Sequence, residues 1–210
     1  MSVFDLFKTI EAKRSSTAPK AKITHLCVGL GNTGAKYDGT RHNAGFAALD
    51  VIAEKYGAKV MSAKYNALCG ECEIAGHGVL LMKPQTYMNL SGDAVWPAAS
   101  FYKIPPENII VLCDDVSFDV GKMRIRMKGS HGGHNGLRDI TAKIGSENFC
   151  RIKIGVGKKP HPDYDLADFV LGKITGDDKK VFDEGLINVC AAVELILQGK
   201  YEEAMNKYNR

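Results

Sequence analysis

The spacing of apolar residues changes from segment to segment along the chain and marks out its elements. "ITHLCVGL", residues 23–30, is an unbroken apolar run of strand length and predicts a buried strand. "HNAGFAALDVIAEKYG" then shifts to helical spacing, with Phe46, Leu49, Val51, Ile52 and Tyr56 on one side and Gly57 as its stop. "ALCGECEIAG" and "GVLLMKP" predict a hairpin around Gly76 and Gly78, and "NLSGDAVWPAASFYKI" a helix interrupted or kinked near Pro97. "NIIVLCDD", "KMRIRMK" and "CRIKIGVG" predict three more strands, the last two with their basic side chains on one face. A long amphipathic helix is expected from Asp177 to Leu197 and a short one from Tyr201, with Gly199 between them.

Strands that alternate with helices predict an α/β fold: a single domain with a twisted mixed, mostly parallel sheet flanked by helices, spanning 23–210. Residues 1–22 fit this pattern poorly. A short amphipathic piece (Val3, Phe4, Phe7, Ile10) runs into "SSTAPKAK", so this stretch is expected to be a flexible N-terminal extension. No internal repeat or low-complexity tract is present.

Composition narrows the setting. The chain has 210 residues, 45% of them hydrophobic, enough for one buried core. No apolar run approaches the roughly 20 residues that cross a bilayer, and the N-terminus lacks the layout of a secretion signal. Six scattered cysteines, mostly within apolar runs, read as reduced thiols, and a cytoplasmic protein is expected. The net charge of +4 is unevenly spread. Ten Lys or Arg face two acids between Gly121 and Pro160, leaving eighteen basic and twenty-two acidic residues elsewhere. That segment is polarised towards a polyanion.

Gly29-x-Gly31-x-x-Gly34 follows the first strand and raises the question of a dinucleotide site. Such a site needs a helix opening directly after the glycines and an acid at the end of the next strand. Here "AKYDGTR" intervenes, and Asp50 falls within the helix instead. The glycines are therefore expected to turn the chain sharply and bring Asn32, Tyr37 and His42 to the carboxyl edge of the sheet. Further polar clusters lie at strand ends: "YMNLSG" from Tyr87, the pair Asp114 and Asp115, and "GSHGGHNG" from Gly129. A histidine beside a carboxylate suits proton transfer, since the acid fixes the tautomer and steadies the protonated ring, and His42 with Asp115 could meet that way. Asparagines add neutral donors for an amide, a water or an oxyanion. Asn43 reads as an ordinary helix cap. "HGGH" and Cys69-Gly-Glu-Cys72 lack the further ligands of a closed metal site, and no Gly-x-Ser-x-Gly elbow supports a serine nucleophile.

"GLGNTGAKYDGTRHNAGF", "KPQTYMNLSG", "DD" and "GSHGGHNGLRDI", in this order and spacing, resemble the bacterial peptidyl-tRNA hydrolases from about Lys22 to the C-terminus. The resemblance implies hydrolysis of the ester between a peptide and the 3′ ribose of tRNA, by a monomer without metal or other cofactor. By position it implies His42 as catalytic base, Asp115 as the acid holding it and Asn32 near the water and substrate. Asp114 remains open as a sharer of the Asp115 role. Tyr37, Tyr87, Asn89 and Asn135 would line the site, with Met88, Gly132 and Gly133 as its walls. Arg124, Arg126, Arg151 and Lys153 would meet acceptor-stem phosphates, where the charge count already points. Thr33 stands where the family usually has proline. The rival reading is a binding module that holds RNA on the same scaffold without cleaving it.

Overall fold

A computed structural model describes residues 21–209. The expected N-terminal extension lies almost wholly outside them. Seven strands form one sheet in the order β2-β3-β4-β1-β5-β7-β6. The strands are β1 (Ile23–Gly29), β2 (Ser62–Lys64), β3 (Ala67–Ile74), β4 (His77–Pro84), β5 (Ile109–Asp115), β6 (Met123–Arg126) and β7 (Cys150–Gly155). The run β4, β1, β5, β7 is parallel, while β2, β3 and β6 pair antiparallel at the two sides. The expected single domain with a mixed, mostly parallel sheet is present.

Period-2 alternation sorts the core into two layers. Cys27, Ile110, Leu112, Ile125, Ile152 and Ile154 face helices α1 (Ala44–Lys55) and α5 (Gly176–Leu197). Leu26, Val28, Val111 and Cys113 face α2 (Gly92–Tyr102) and α3 (Asn135–Ile144). Two shorter helices, α4 (Leu166–Leu171) and α6 (Tyr201–Tyr208), complete the fold. Helix α2 runs through Pro97 without the interruption that the sequence allowed there. Burial of Ala94, Val95, Ala98 and Ala99 against the sheet holds it together and overrides the lost hydrogen bond.

Three elements escaped the sequence pattern. Strand β2 is short and wholly exposed, and it is made by a two-residue turn with Tyr65 and Asn66 both at positive φ (54° and 53°). Helix α3 does carry helical spacing in Leu137, Ile140 and Ile144, but it follows directly on a glycine-rich loop. Helix α4 has only six residues.

The glycines of the first loop are packing devices. A Cβ on Gly29 would lie 2.3 Å from the carbonyl oxygen of Gly45, and one on Gly31 would enter the Phe46 ring. A Cβ on Gly45 would lie 2.3 Å from Leu112 O and 2.4 Å from Leu30 N. Helix α1 thus rests backbone on backbone against the ends of β1 and β5. The Phe46 N–H donates to Leu30 O (3.1 Å), and Leu30 N–H to Leu112 O (2.9 Å). No helix opens after Gly34: short 3-10 turns at Ala35–Tyr37 and Arg41–Asn43 come first. Asp50 is exposed within α1 and paired with Lys83. These features do not make a dinucleotide site. Gly45→Ala is expected to destabilise the protein by about 3 kcal/mol, because neither backbone can yield to the new methyl. Thermal melting checks this, and a Tm within about 2 °C of the parent would show that the contact is not limiting.

Candidate active site

β4 and β5 flank β1 on opposite sides, so the carboxyl ends of these three strands meet where the strand order reverses, the usual ligand crevice of open α/β sheets. Asn32 follows β1, Met88 follows β4, and Asp114 stands near the end of β5. His42 sits in the 3-10 turn just before α1. Its Nδ1 lies 2.8 Å from Asp114 Oδ1. An ionised carboxylate only accepts, so His42 Nδ1 carries the proton and Nε2 keeps a free lone pair.

Asp114, not Asp115, is therefore the partner of His42, which corrects the sequence expectation. Strand alternation gives the reason. Asp114 shares the face of Ile110 and Leu112, against which α1 and the turn bearing His42 pack. Asp115 points the other way and accepts from Ser117 N–H (2.8 Å) and Lys153 Nζ (3.0 Å).

A second histidine reaches the same oxygen. His134 caps α3 by accepting from Leu137 N–H at Nδ1 (3.4 Å), which leaves its proton on Nε2, 3.1 Å from Asp114 Oδ1. The two imidazole rings lie 5.3 Å apart between centroids. Burial alone would raise the Asp114 pKa, but His134 and then His42 outweigh it and hold the carboxyl well below the usual range. His42, Asp114 and His134 offer three donor atoms within 4.8 Å of one another, a set able to hold a metal ion. Sequence reading missed His134 because it weighed "HGGH" as a pair, whereas the fold uses its second histidine alone.

Asn32 is clamped. The Asn43 side chain accepts from Asn32 N–H (2.8 Å) and donates to Asn32 O (3.0 Å), while Asn32 Oδ1 accepts from Met88 N–H (2.9 Å). Met88 N–H fixes the flip of that amide, so Nδ2 is the end left to donate. Asn43 occupies the cap position of α1 but makes no side-chain cap bond; it serves Asn32 instead. Thr33 Oγ1 donates to Gln85 Oε1 (3.0 Å), tying the loops after β1 and β4. A Cβ on Gly136 would meet Met88 Sδ at 2.7 Å, so α3 closes against the buried Met88.

The remaining sequence candidates divide. Tyr87, Asn89, Gly132, Gly133 and Asn135 are exposed and flank Met88 and His134 in the chain, and Tyr37 is half-buried with Lys36 over its ring. Positive φ at Gly132 (56°) and Gly133 (83°) shapes the loop before His134. Arg124 and Arg126 stand on edge strand β6, opposite Lys153 and Arg151 in register. Arg126 is exposed and Arg124 stacks over Phe118 (4.5 Å). Arg151 is 1% exposed, which corrects its expected place on a phosphate-binding surface. It lies on β7, an interior strand, and its guanidinium donates to the carbonyls of Gly129, Ser130, Glu147 and Phe149. Lys153 is committed to Asp115.

Comparison with known proteins adds a second line. Residues 26–210 match the sequence model of a family described as Peptidyl-tRNA hydrolase. The chain is 49% identical over 186 residues to the peptidyl-tRNA hydrolase of Agathobacter rectalis, covering 88% of this chain and 100% of the relative. It is 48% identical over 185 residues to that of a Thermoanaerobacter species, covering 88% and 99%. The crystal structure of peptidyl-tRNA hydrolase from Acinetobacter baumannii superposes with a TM-score of 0.83 at 39% identity, covering 91% of this chain and 97% of that one.

Two stability measurements follow from this geometry. The Asp114 pKa is depressed below the about 3.9 of an unfolded chain, so its stabilisation is present above about pH 4 and is lost as the pH falls further. Asp114→Asn should therefore show a shallower loss of stability below pH 4 than the parent in denaturant titrations; parallel slopes would deny the pairing. Arg151→Ala should lower Tm by several degrees, since it strands buried carbonyls, and an unchanged Tm would return Arg151 to the surface role.

Proposed function

The chain belongs to the peptidyl-tRNA hydrolase family, and from that footing we propose how its own residues cleave the ester between peptide and tRNA. The observation that carries the reading is the buried pairing of His42 Nδ1 with Asp114, which leaves Nε2 as an oriented base. A water gives its proton to His42 Nε2 and attacks the ester carbonyl carbon. Asp114 steadies the imidazolium, and the Asn32 amide, held in place by Asn43 and Met88, donates to the oxyanion as it forms. The tetrahedral intermediate collapses, and the proton on His42 Nε2 passes to the ribose oxygen as it leaves. The products are a free peptide carboxyl and tRNA ready for recharging. His134 is a positioning residue here: its N–H to the same oxygen favours an ionised Asp114.

Asn89 and Asn135, exposed on either side of the cleft, read the peptide amides, which distinguishes a peptidyl ester from an aminoacyl ester with a free amine. Tyr37, Tyr87, Met88, Gly132 and Gly133 form the walls. Arg124 and Arg126 on the edge strand meet acceptor-stem phosphates, extended by the exposed Lys128 and Arg138. The reading takes the protein as a monomer, and no described helix is long and apolar enough to cross a membrane. The reading places the enzyme with translation in the cytoplasm. A bare RNA binder has no use for a buried histidine–carboxylate pair beside a clamped asparagine.

Release of tRNA from an N-acetylated aminoacyl-tRNA, with the unblocked ester as control, tests the assignment. His42→Ala should slow release by about 10²–10⁴-fold while tRNA binding persists. Asp114→Asn should cost about 10²-fold or more and Asp115→Asn less than tenfold; the reverse order would sink the pairing proposed here. Arg126→Ala should weaken tRNA binding and reduce the slope of log affinity against log salt by about 1, and an unchanged slope would remove it from the phosphate path.

A further inference from the structure

We propose that His42, Asp114 and His134 form a capture site for a single first-row transition-metal ion such as zinc or cobalt, and that its occupancy stops hydrolysis. The inhibitory half of this proposal rests on His42 being the base.

The donor set is two imidazole nitrogens and one carboxylate oxygen, a combination that suits borderline ions and not magnesium. The three atoms lie within 4.8 Å of one another, with the nitrogens 2.8 and 3.1 Å from Asp114 Oδ1. Donors about 2.05 Å from a tetrahedral ion stand about 3.3 Å apart, so each nitrogen has to draw back from Asp114 Oδ1 by a few tenths of an ångström, while the two imidazole nitrogens, within 4.8 Å of each other, swing together by up to about 1.5 Å through their side-chain torsions. Each donor is held on a separate fixed element: the end of β5, the cap of α3 and the turn into α1. The side chains of His42, His134 and Asp114 are 15%, 10% and 4% exposed, which admits an ion with one bound water from the cleft while excluding bulk solvent. The buried carboxylate now meets two N–H groups, and a divalent ion would meet it with far more charge.

Other candidate ligands offer little competition. This is the only such group of three or more donors among the described residues. His25 and His77 pack together near the amino ends of β1 and β4 without a third donor. Five of the six cysteines are buried, and burial pushes the thiol of the half-buried Cys72 up to about 12, away from the thiolate a metal needs.

Loss of activity follows from the protons. Each imidazole presents an N–H to Asp114, and a metal needs the lone pair at that nitrogen. His42 keeps its proton by moving it from Nδ1 to Nε2, so no proton is released and the base nitrogen becomes an N–H. His134 moves its proton from Nε2 to Nδ1 and gives up only the long bond from Leu137 N–H (3.4 Å). The bound ion thus takes the acceptor that the attacking water requires.

The test uses tag-free, full-length protein freed of metal with a chelator. Cobalt is titrated in while the visible ligand-field bands and the release of tRNA are read together. Bands that saturate at one equivalent, turnover falling in step by more than tenfold, recovery on adding chelator and no inhibition by magnesium are the expected results. His134→Gln should weaken cobalt binding by more than about tenfold and make its own residual turnover correspondingly less sensitive. Absence of the bands, bands that His134→Gln leaves unchanged, or turnover that survives saturation each overturns the proposal. The His42→Ala rate measured in chelator judges the catalytic reading separately: a fully active variant defeats that reading, whereas a failed metal titration leaves it standing.

Discussion

Everything at the site hangs on how closely α1 approaches β1 and β5. Gly29 and Gly45 let two backbones touch, with a Cβ on either falling 2.3 Å from a carbonyl oxygen across the contact. That closeness sets the height of the turn carrying His42 above the sheet, and so brings its ring within hydrogen-bond reach of Asp114. It also seats Asn43 against the backbone of Asn32. A glycine pattern that in another fold would cradle a pyrophosphate serves here to bring a helix down onto a sheet.

The second dependence is electrostatic. Asp114 is buried and shares one oxygen between two histidines. Ionising a carboxyl in such a place is costly unless donors converge on it, and the two N–H groups are what keep it ionised. His134 is tied into a helix cap through its other nitrogen, so its tautomer is set by secondary structure. Tautomer control at the site is thus built partly from the start of α3.

Much of this was legible beforehand. Strand runs, helix spacing and the long C-terminal helix follow from periodicity, and three of the polar clusters do follow the carboxyl ends of the neighbouring strands β1, β4 and β5, while the fourth, after antiparallel β6, reaches the site through the loop and cap that open α3. The choice between Asp114 and Asp115 was readable in principle, since only one shares a face with Ile110 and Leu112, but it required knowing which face α1 covers. Arg151 misled because alternation gives the face of a strand and not its place in the sheet: β6 lies at the edge and keeps Arg126 exposed, while β7 is interior and buries Arg151. His134 and Asn43 were hidden because each acts on groups distant in the sequence, 20 and 11 residues away.

The buried guanidinium of Arg151 separates two properties that are usually entangled. It gathers carbonyls from Gly129 and Ser130 on one side of α3 and from Glu147 and Phe149 on the other, fastening both ends of the segment that carries His134 and Asn135. Bonds sealed from solvent are little screened by dissolved ions, whereas the exposed Arg126 on the edge strand lies open to them. On the proposed reading, changes in ionic strength would tighten or loosen the hold on a polyanion without reshaping the loop assigned to its cargo. Grip would be adjustable, and the reading head would stay fixed.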